Sequence, residues 1–135
     1  WLYMSQDKIN TFADVTEDSQ WIHLDAKRAA EESPYKKTIA HGFLVLSYAS
    51  QITFRTLKLN NIKLAINYGL DKVRFPNATP SDSYFRGRVS LIEFEEIPGG
   101  VKYKLKIVFE VKGETKPVCV AETLSLVYSS SEEKT

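Results

Sequence analysis

The sequence has little of what several common kinds of protein site require. Its 135 residues include one cysteine, two histidines, six glycines and five prolines. The 18 lysines and arginines nearly balance the 17 acidic residues. A single cysteine forms no internal disulfide, and with two histidines it falls short of the Cys and His ligands of a structural zinc site. A net charge of +1 gives no electrostatic reason to expect nucleic acid as a partner. We therefore expect no structural metal and no nucleic-acid binding.

Long hydrophobic runs are also absent. The most apolar stretch, residues 43–49, is far shorter than the roughly 20 residues that span a bilayer. No charged start followed by an apolar core indicates a signal peptide, so we expect a cytoplasmic protein that binds no membrane. The length fits one domain, which we predict over residues 1–128, with a flexible tail at 129–135.

The first third of the chain predicts short helices around an irregular loop. Ser5, followed by polar residues and then by apolar residues three and four apart, predicts an N-capped helix. Residues 15–25 favour turns, and we expect a loop anchored by the buried side chains of Trp21 and Ile22. Asp25 is a suitable N-cap for a brief second helix directly after it.

Residues 41–57 have the composition of a helix that is buried on most of its faces. Apolar side chains occupy nearly every position, and no charge lies between His41 and Arg55. We predict one continuous helix that begins at His41 and ends between Leu57 and Asn61, where polar residues interrupt the pattern. Such a helix needs a cover on most sides, and the second half of the chain provides the candidate.

Two strands near the end of the chain show the clearest pattern. Residues 101–111 alternate apolar and mostly polar side chains with a period of two, which is typical of a strand with one buried face. The alternation continues over residues 118–128, after a turn at 113–116. In that second strand we expect these apolar residues to face the core: Val118, Val120, Leu124, Leu126 and Tyr128.

Two further strands complete a predicted antiparallel sheet. Residues 84–96 alternate and then change phase at Ile92, which predicts a β-bulge, and residues 65–75 form another strand. The fold class is therefore α+β, with a sheet wrapped around one apolar helix. Four such strands leave a sheet edge and an incompletely covered helix. Pairing with a second copy would cover both, so we predict a homodimer.

The two histidines are the candidates for chemistry. His23 lies five residues after Asp18, and an imidazole near a carboxylate can act in general acid and base catalysis. The alternative is that His23 only caps a turn. His41 precedes Gly42 at a predicted helix start, where free N–H groups can hold an oxyanion. The alternative is that Gly42 permits close packing while His41 caps the helix.

Two segments in this order resemble the signature of a known family. Residues 16–25 (TEDSQWIHLD) and residues 38–44 (TIAHGFL) resemble the MaoC-like dehydratases, the (R)-specific enoyl-CoA hydratase family, and especially its nodulation protein N-like branch. Residues 66–75 resemble that branch as well. The similarity extends from about Ser5 to Tyr128.

The resemblance implies a fold and a set of site residues. The family has the hotdog fold, an antiparallel sheet of usually five or six strands around a long central helix, so one short strand beyond the four is expected. A catalytic dyad of Asp18 and His23 is implied, with a Gly42 N–H that binds the thioester oxygen. Ser50 stands at the position of a supporting family serine, and His41 matches the family histidine before the glycine.

The implied activity is hydration of a trans-2-enoyl-CoA to an (R)-3-hydroxyacyl-CoA, or the reverse. A base deprotonates the attacking water, an acid protonates C2, and N–H donors stabilise the enolate oxygen. This chemistry needs no metal and no cofactor apart from the CoA of the substrate. Two alternatives stay open: a module that binds acyl-CoA without turnover, and a hotdog thioesterase. The thioesterase is disfavoured because residues 41–54 contain no carboxylate.

Three residues near the dyad differ from the usual family pattern. Many members carry Asn two residues after the Asp and Pro one residue further, where this chain has Gln20 and Trp21. Glu17 stands where Gly is frequent. Gln20 keeps an amide, and we expect it to support the site. These differences resemble the nodulation protein N-like branch and leave acyl chain length and carrier open.

Overall fold

The computed structural model describes residues 1–129, in which short helices precede a curled antiparallel sheet. The elements follow one another in this order: β1 (Leu2–Met4), α1 (Gln6–Thr16), α2 (Trp21–Leu24), α3 (Ala26–Glu32), α4 (Gly42–Ser47), α5 (Ala49–Thr56), β2 (Ile62–Arg74), β3 (Ser83–Ile97), β4 (Gly100–Val111) and β5 (Cys119–Ser129). The strands are ordered β1-β3-β4-β5-β2, and all neighbours are antiparallel.

The sheet confirms the predicted α+β class and four long strands. The short additional strand is β1, which pairs with the start of β3. The predicted bulge is present as a register shift between Leu91 and Glu93. Inward side chains of the sheet and the apolar sides of α1, α4 and α5 form one core. Its fully buried members include Phe85, Leu105 and Phe109.

The two predicted helix caps are confirmed, but the loop between the helices is not as expected. The Ser5 side chain accepts a hydrogen bond from the Lys8 N–H, and Asp25 accepts one from the Arg28 N–H. The predicted loop contains the single turn α2. Within it Trp21 and Ile22 are only half-buried, whereas His23 is buried. The indole of Trp21 instead stacks on the guanidinium of Arg28, at 4.2 Å.

The prediction of one continuous buried helix was wrong in two respects. The helix begins at Gly42 and is interrupted at Tyr48, whose N–H bonds to the Val45 carbonyl three residues back. One residue earlier, the Ser47 hydroxyl donates to the Phe43 carbonyl at 2.6 Å, a bond that tends to bend helices. The helix pair is also uncovered on one side, since Phe43 and Phe54 are 68% and 75% exposed.

The prediction for the last strand was right for Val118, which directly precedes β5 and is buried, but wrong for the orientation of β5 itself. The buried residues of this strand are Cys119, Ala121 and Val127, and the half-exposed ones include Leu124 and Leu126. Strand β5 packs against α4. Small side chains on the inner face of β5 let α4 approach the sheet. The size of the side chains therefore determines the orientation of β5, although their hydrophobicity alone favours the opposite face. As a result, apolar residues lie on the outer surface of the sheet.

Two further predictions concern the C-terminal tail and the absence of a membrane-spanning segment. Ser129 is part of β5 and its N–H donates to the Gly99 carbonyl, so the expected flexible tail does not begin there. Residues 130–135 lie outside the described residues. Within residues 1–129, none of the helices has the length and apolar character needed to cross a membrane. The location in the cell stays a prediction.

Candidate functional site

Asp18 lies on a tight turn directly after α1. Glu17 ends the helix in the left-handed conformation, with φ 61° and ψ 26°. This conformation costs a residue with a side chain about 1–2 kcal/mol and costs glycine little, so a glycine would fit at this position without strain. The turn leaves Asp18 exposed, with its Oδ1 3.4 Å from the Gln20 N–H.

His23 is held from two sides in the single turn of α2. Its Nδ1 lies 2.7 Å from the Ile39 carbonyl, which only accepts, so Nδ1 carries the proton and Nε2 is bare. The backbone carbonyl of His23 accepts a 2.7 Å bond from Gln6 Nε2. Burial lowers the pKa of His23 and the nearby His41 adds to this, while the Ile39 bond and Asp18 oppose it. A neutral imidazole with a free Nε2 is suited to accept a proton.

His41 contacts both residues of the predicted dyad. It is 3% exposed, and its Nε2–H donates to the backbone carbonyl of Asp18 at 3.0 Å. Its ring stacks on that of His23, with centroids 3.8 Å apart and planes at 23°. The Phe12 ring contacts His41 at 4.9 Å. Asp18, His23 and His41 each offer one atom of a set that lies within 4.8 Å.

This spacing is suited to one water molecule. Two groups that each hydrogen-bond a shared water at about 2.8 Å can stand this far apart. A metal ion would need ring lone pairs that converge on it, and the near-parallel planes of His23 and His41 do not favour this. The expectation that the site needs no metal stays a prediction.

Gly42 is the first residue of α4 and packs against Phe75, just beyond β2. Among the described residues, the Gly42 N–H donates no backbone hydrogen bond, as expected for the first turn of a helix. A Cβ at this position would meet Phe75 ring atoms at 3.0 Å. Both readings of Gly42 therefore stay open: its N–H has no backbone acceptor among the described residues, and the position is tightly packed.

Ser50 and Gln20 occupy different surroundings from those expected. Ser50 lies on α5, where its Oγ accepts a 3.2 Å bond from Asn67 Nδ2 on β2. None of its hydrogen bonds involves Asp18 or His23. Gln20 contacts the site through its main chain, since its carbonyl accepts the His23 N–H at 3.1 Å. Its side chain is exposed.

A groove of about 900 Å³ runs between α5 and β2. Its wall is mostly apolar, and the hydrogen-bonded pair of Ser50 and Asn67 forms part of it. Neither Asp18 nor His23 lines it. Of the residues that line the groove, Leu46 is nearest to Gly42 in sequence. Both lie on α4, one helical turn or about 6 Å apart along the helix axis.

Several residues that hold the site have no strong signal in the sequence. The Thr38 hydroxyl donates to Gln6 Oε1 at 2.6 Å and lies 2.8 Å from the Ser81 hydroxyl, which links α1 to the segment after α3. The Ile39 N–H donates to Ile22, and the Ala40 N–H donates to Thr79 at 2.8 Å. These bonds join residues far apart in the chain, so spacing could not reveal them.

The fold is that of a hotdog protein. An (R)-hydratase from Pseudomonas aeruginosa, PhaJ1, superposes with a TM-score of 0.78 at 21% identity, over 95% of this chain and 77% of that one. The curled sheet around the α4–α5 pair is thereby a known architecture, as the sequence resemblance implied.

The sequence comparisons then define the family. The model of the MaoC-like domain matches residues 1–108. The 3-hydroxyacyl-thioester dehydratase Z of Mycobacterium tuberculosis is 43% identical over 125 residues, 92% of this chain and 82% of that protein. Nodulation protein N of Rhizobium leguminosarum bv. viciae is 36% identical over 129 residues, 94% of this chain and 80% of that protein. The chain belongs to the MaoC-like dehydratase family.

Proposed function

We propose that this protein hydrates a trans-2-enoyl thioester to the (R)-3-hydroxyacyl thioester, or catalyses the reverse dehydration. The observation that carries the proposal is the cluster of Asp18, His23 and His41 beside the start of α4. Family membership and the dehydratase relative from M. tuberculosis support the reaction class.

In this proposal, Asp18 and the bare Nε2 of His23 hold one water molecule. The water attacks C3 as the pair removes its proton, and the same pair delivers a proton to C2. The Gly42 N–H donates to the thioester oxygen, where negative charge develops in the enolate. Each proton-transfer group contributes roughly 10²–10⁴-fold to the rate of such a reaction.

The groove between α5 and β2 supplies the binding site for the acyl chain. Its volume of about 900 Å³ and mostly apolar wall fit an alkyl chain. Because it begins about one helical turn from Gly42, a thioester bound there extends its chain along α5. The bond between Ser50 and Asn67 then supports the groove. Gln20 supports the turn between Asp18 and His23 through its backbone. No metal or redox cofactor takes part, and CoA enters as part of the substrate.

The test is hydration of crotonyl-CoA and longer enoyl-CoAs, followed by loss of the enoyl thioester absorbance. We expect turnover by the native protein and a loss of roughly 10²–10⁴-fold in Asp18→Asn and in His23→Ala. Asp14→Asn is a matched control, because it removes an exposed carboxylate of α1. If the native protein leaves all enoyl chain lengths unchanged, the proposal fails.

The same samples separate the two alternatives. A thioesterase releases free CoA, which a thiol reagent detects, whereas hydration leaves the thioester intact. A binding module gives calorimetric binding of acyl-CoA that is unaffected by Asp18→Asn and occurs without turnover.

We also propose that the protein is a homodimer joined through β2. In the described part of the chain this strand is an edge of the sheet and pairs only with β5. Its exposed side chains include Leu64 and Tyr68, at 51% and 58%. Long apolar edges without a cover tend to pair with another strand. We expect light scattering to give the mass of two chains, and Leu64→Lys to give one. Leu91→Lys, at a similarly exposed site on β3, is the control and leaves the mass unchanged.

A further inference from the structure

His41 has a bonding pattern that neither proton transfer nor helix capping explains. Its side chain makes no capping hydrogen bond to α4. Its Nε2–H is used by the main-chain carbonyl of Asp18, and its ring covers that of His23. Because the carbonyl accepts, Nε2 carries a proton, and in the neutral tautomer of the ring Nδ1 is then the bare nitrogen. In the described chain this buried Nδ1 has no hydrogen-bond partner.

The turn that carries Asp18 needs such a contact. Asp18 is exposed, and among residues 1–129 its carboxylate has only the Gln20 N–H as a partner, at the long distance of 3.4 Å. Glu17 before it is in a strained conformation. His23, in contrast, is buried and held by Ile39 and Gln6. The contacts of His41 therefore join a weakly held residue to a firmly held one.

We propose that His41 is a positioning residue that fixes the separation of Asp18 from His23 through one N–H bond and one ring stack. This inference rests on the proposed function, because its consequence is a geometry for one shared water. His41 touches neither the water nor the thioester in this role. A displacement of about 1 Å between reacting groups can cost about 10²-fold in rate, which sets the size of the effect.

Two variants separate the two contacts. His41→Phe keeps a ring against His23 and loses the N–H, and His41→Gln keeps a side-chain N–H donor and loses the ring. We expect His41→Phe to lower kcat about 10–100-fold with KM changed less than about threefold. We expect His41→Gln to recover part of that loss. Val118→Ala, which removes buried volume directly before β5, is the control for lost stability and keeps the native kcat.

The tautomers of the His23 and His41 rings test the proposal without a measurement of turnover. In the native protein, ¹⁵N NMR of the imidazoles should show the proton on Nε2 of His41 and on Nδ1 of His23. A proton on Nδ1 of neutral His41 overturns the proposal, as does a His41→Phe variant within about twofold of the native kcat. It also fails if His41→Gln is as inactive as His23→Ala, since His41 would then act directly. Absence of native turnover contradicts the proposed function, whereas an active native protein with an active His41→Phe contradicts only this inference.

Discussion

Replacing Gly42 by alanine tests whether the proposed hydration depends on the position of the Gly42 N–H. The new Cβ would lie 3.0 Å from two ring atoms of Phe75, and carbon atoms normally approach to about 3.5 Å. The start of α4 and the Phe75 ring must therefore separate by about 0.5 Å. With a sensitivity of about 10²-fold per ångström, we expect kcat/KM for enoyl-CoA hydration to fall about tenfold.

Stability should change much less than activity. Alanine favours a helix by about 1 kcal/mol relative to glycine, while overpacking costs about 1–3 kcal/mol. The Phe75 ring is 42% exposed and yields in part, so the cost lies at the low end of that range. We expect the free energy of unfolding of Gly42→Ala to stay within about 1 kcal/mol of the native value. Urea unfolding measures it.

A double variant isolates the cause of the lost activity. Phe75→Ala removes the ring that the new methyl group meets, so Gly42→Ala with Phe75→Ala should regain most of the activity of Phe75→Ala alone. Full activity in Gly42→Ala would refute the role of this N–H. A double variant no better than Gly42→Ala would refute crowding as the cause.

Four further predictions concern His23, Glu17 and Cys119. Since burial lowers the pKa of His23 and the base must be neutral, kcat/KM should rise with pH along a limb whose midpoint lies below the usual 6.5; a midpoint above 6.5 contradicts this. Because the folded pKa is depressed, the contribution of His23 to stability should be complete above pH 6.5 and decrease below it, as measured by urea unfolding. Glu17→Gly should raise the free energy of unfolding by up to about 1 kcal/mol and Glu17→Val should lower it, and the reverse order would show that the left-handed turn is not strained. Burial raises the pKa of Cys119 to about 11, so a thiol reagent should react with it only after unfolding, and rapid reaction in the native protein would disprove that burial.

The sequence predicted best what depends on local patterns. The alternation of β4 and the Ser5 and Asp25 caps are properties of a few neighbouring residues, and the structure confirms them. The orientation of β5 was wrong because Leu124 and Leu126 are more hydrophobic than Ala121, while the close approach of α4 requires the smaller side chain.

In the candidate site, too, local sequence patterns were predictive and contacts between distant residues were not. The order of the motifs was sufficient to select Asp18, His23 and His41, which the structure brings within 4.8 Å. The bond of His41 to the Asp18 carbonyl and that of Gln6 to His23 were not predictable. Each joins main-chain and side-chain atoms across 17 or more positions, which no periodicity encodes.

The segment from Thr38 to Ala40 links both imidazoles to the rest of the molecule. Its Ile39 carbonyl holds His23, His41 follows it directly, and its amides donate to Ile22 on one side and Thr79 on the other. Connecting segments usually exchange their amide hydrogens quickly. Here we expect the amides of Ile39 and Ala40 to exchange as slowly as those of a central strand. The imidazole rings of His23 and His41 would then move together as one rigid unit.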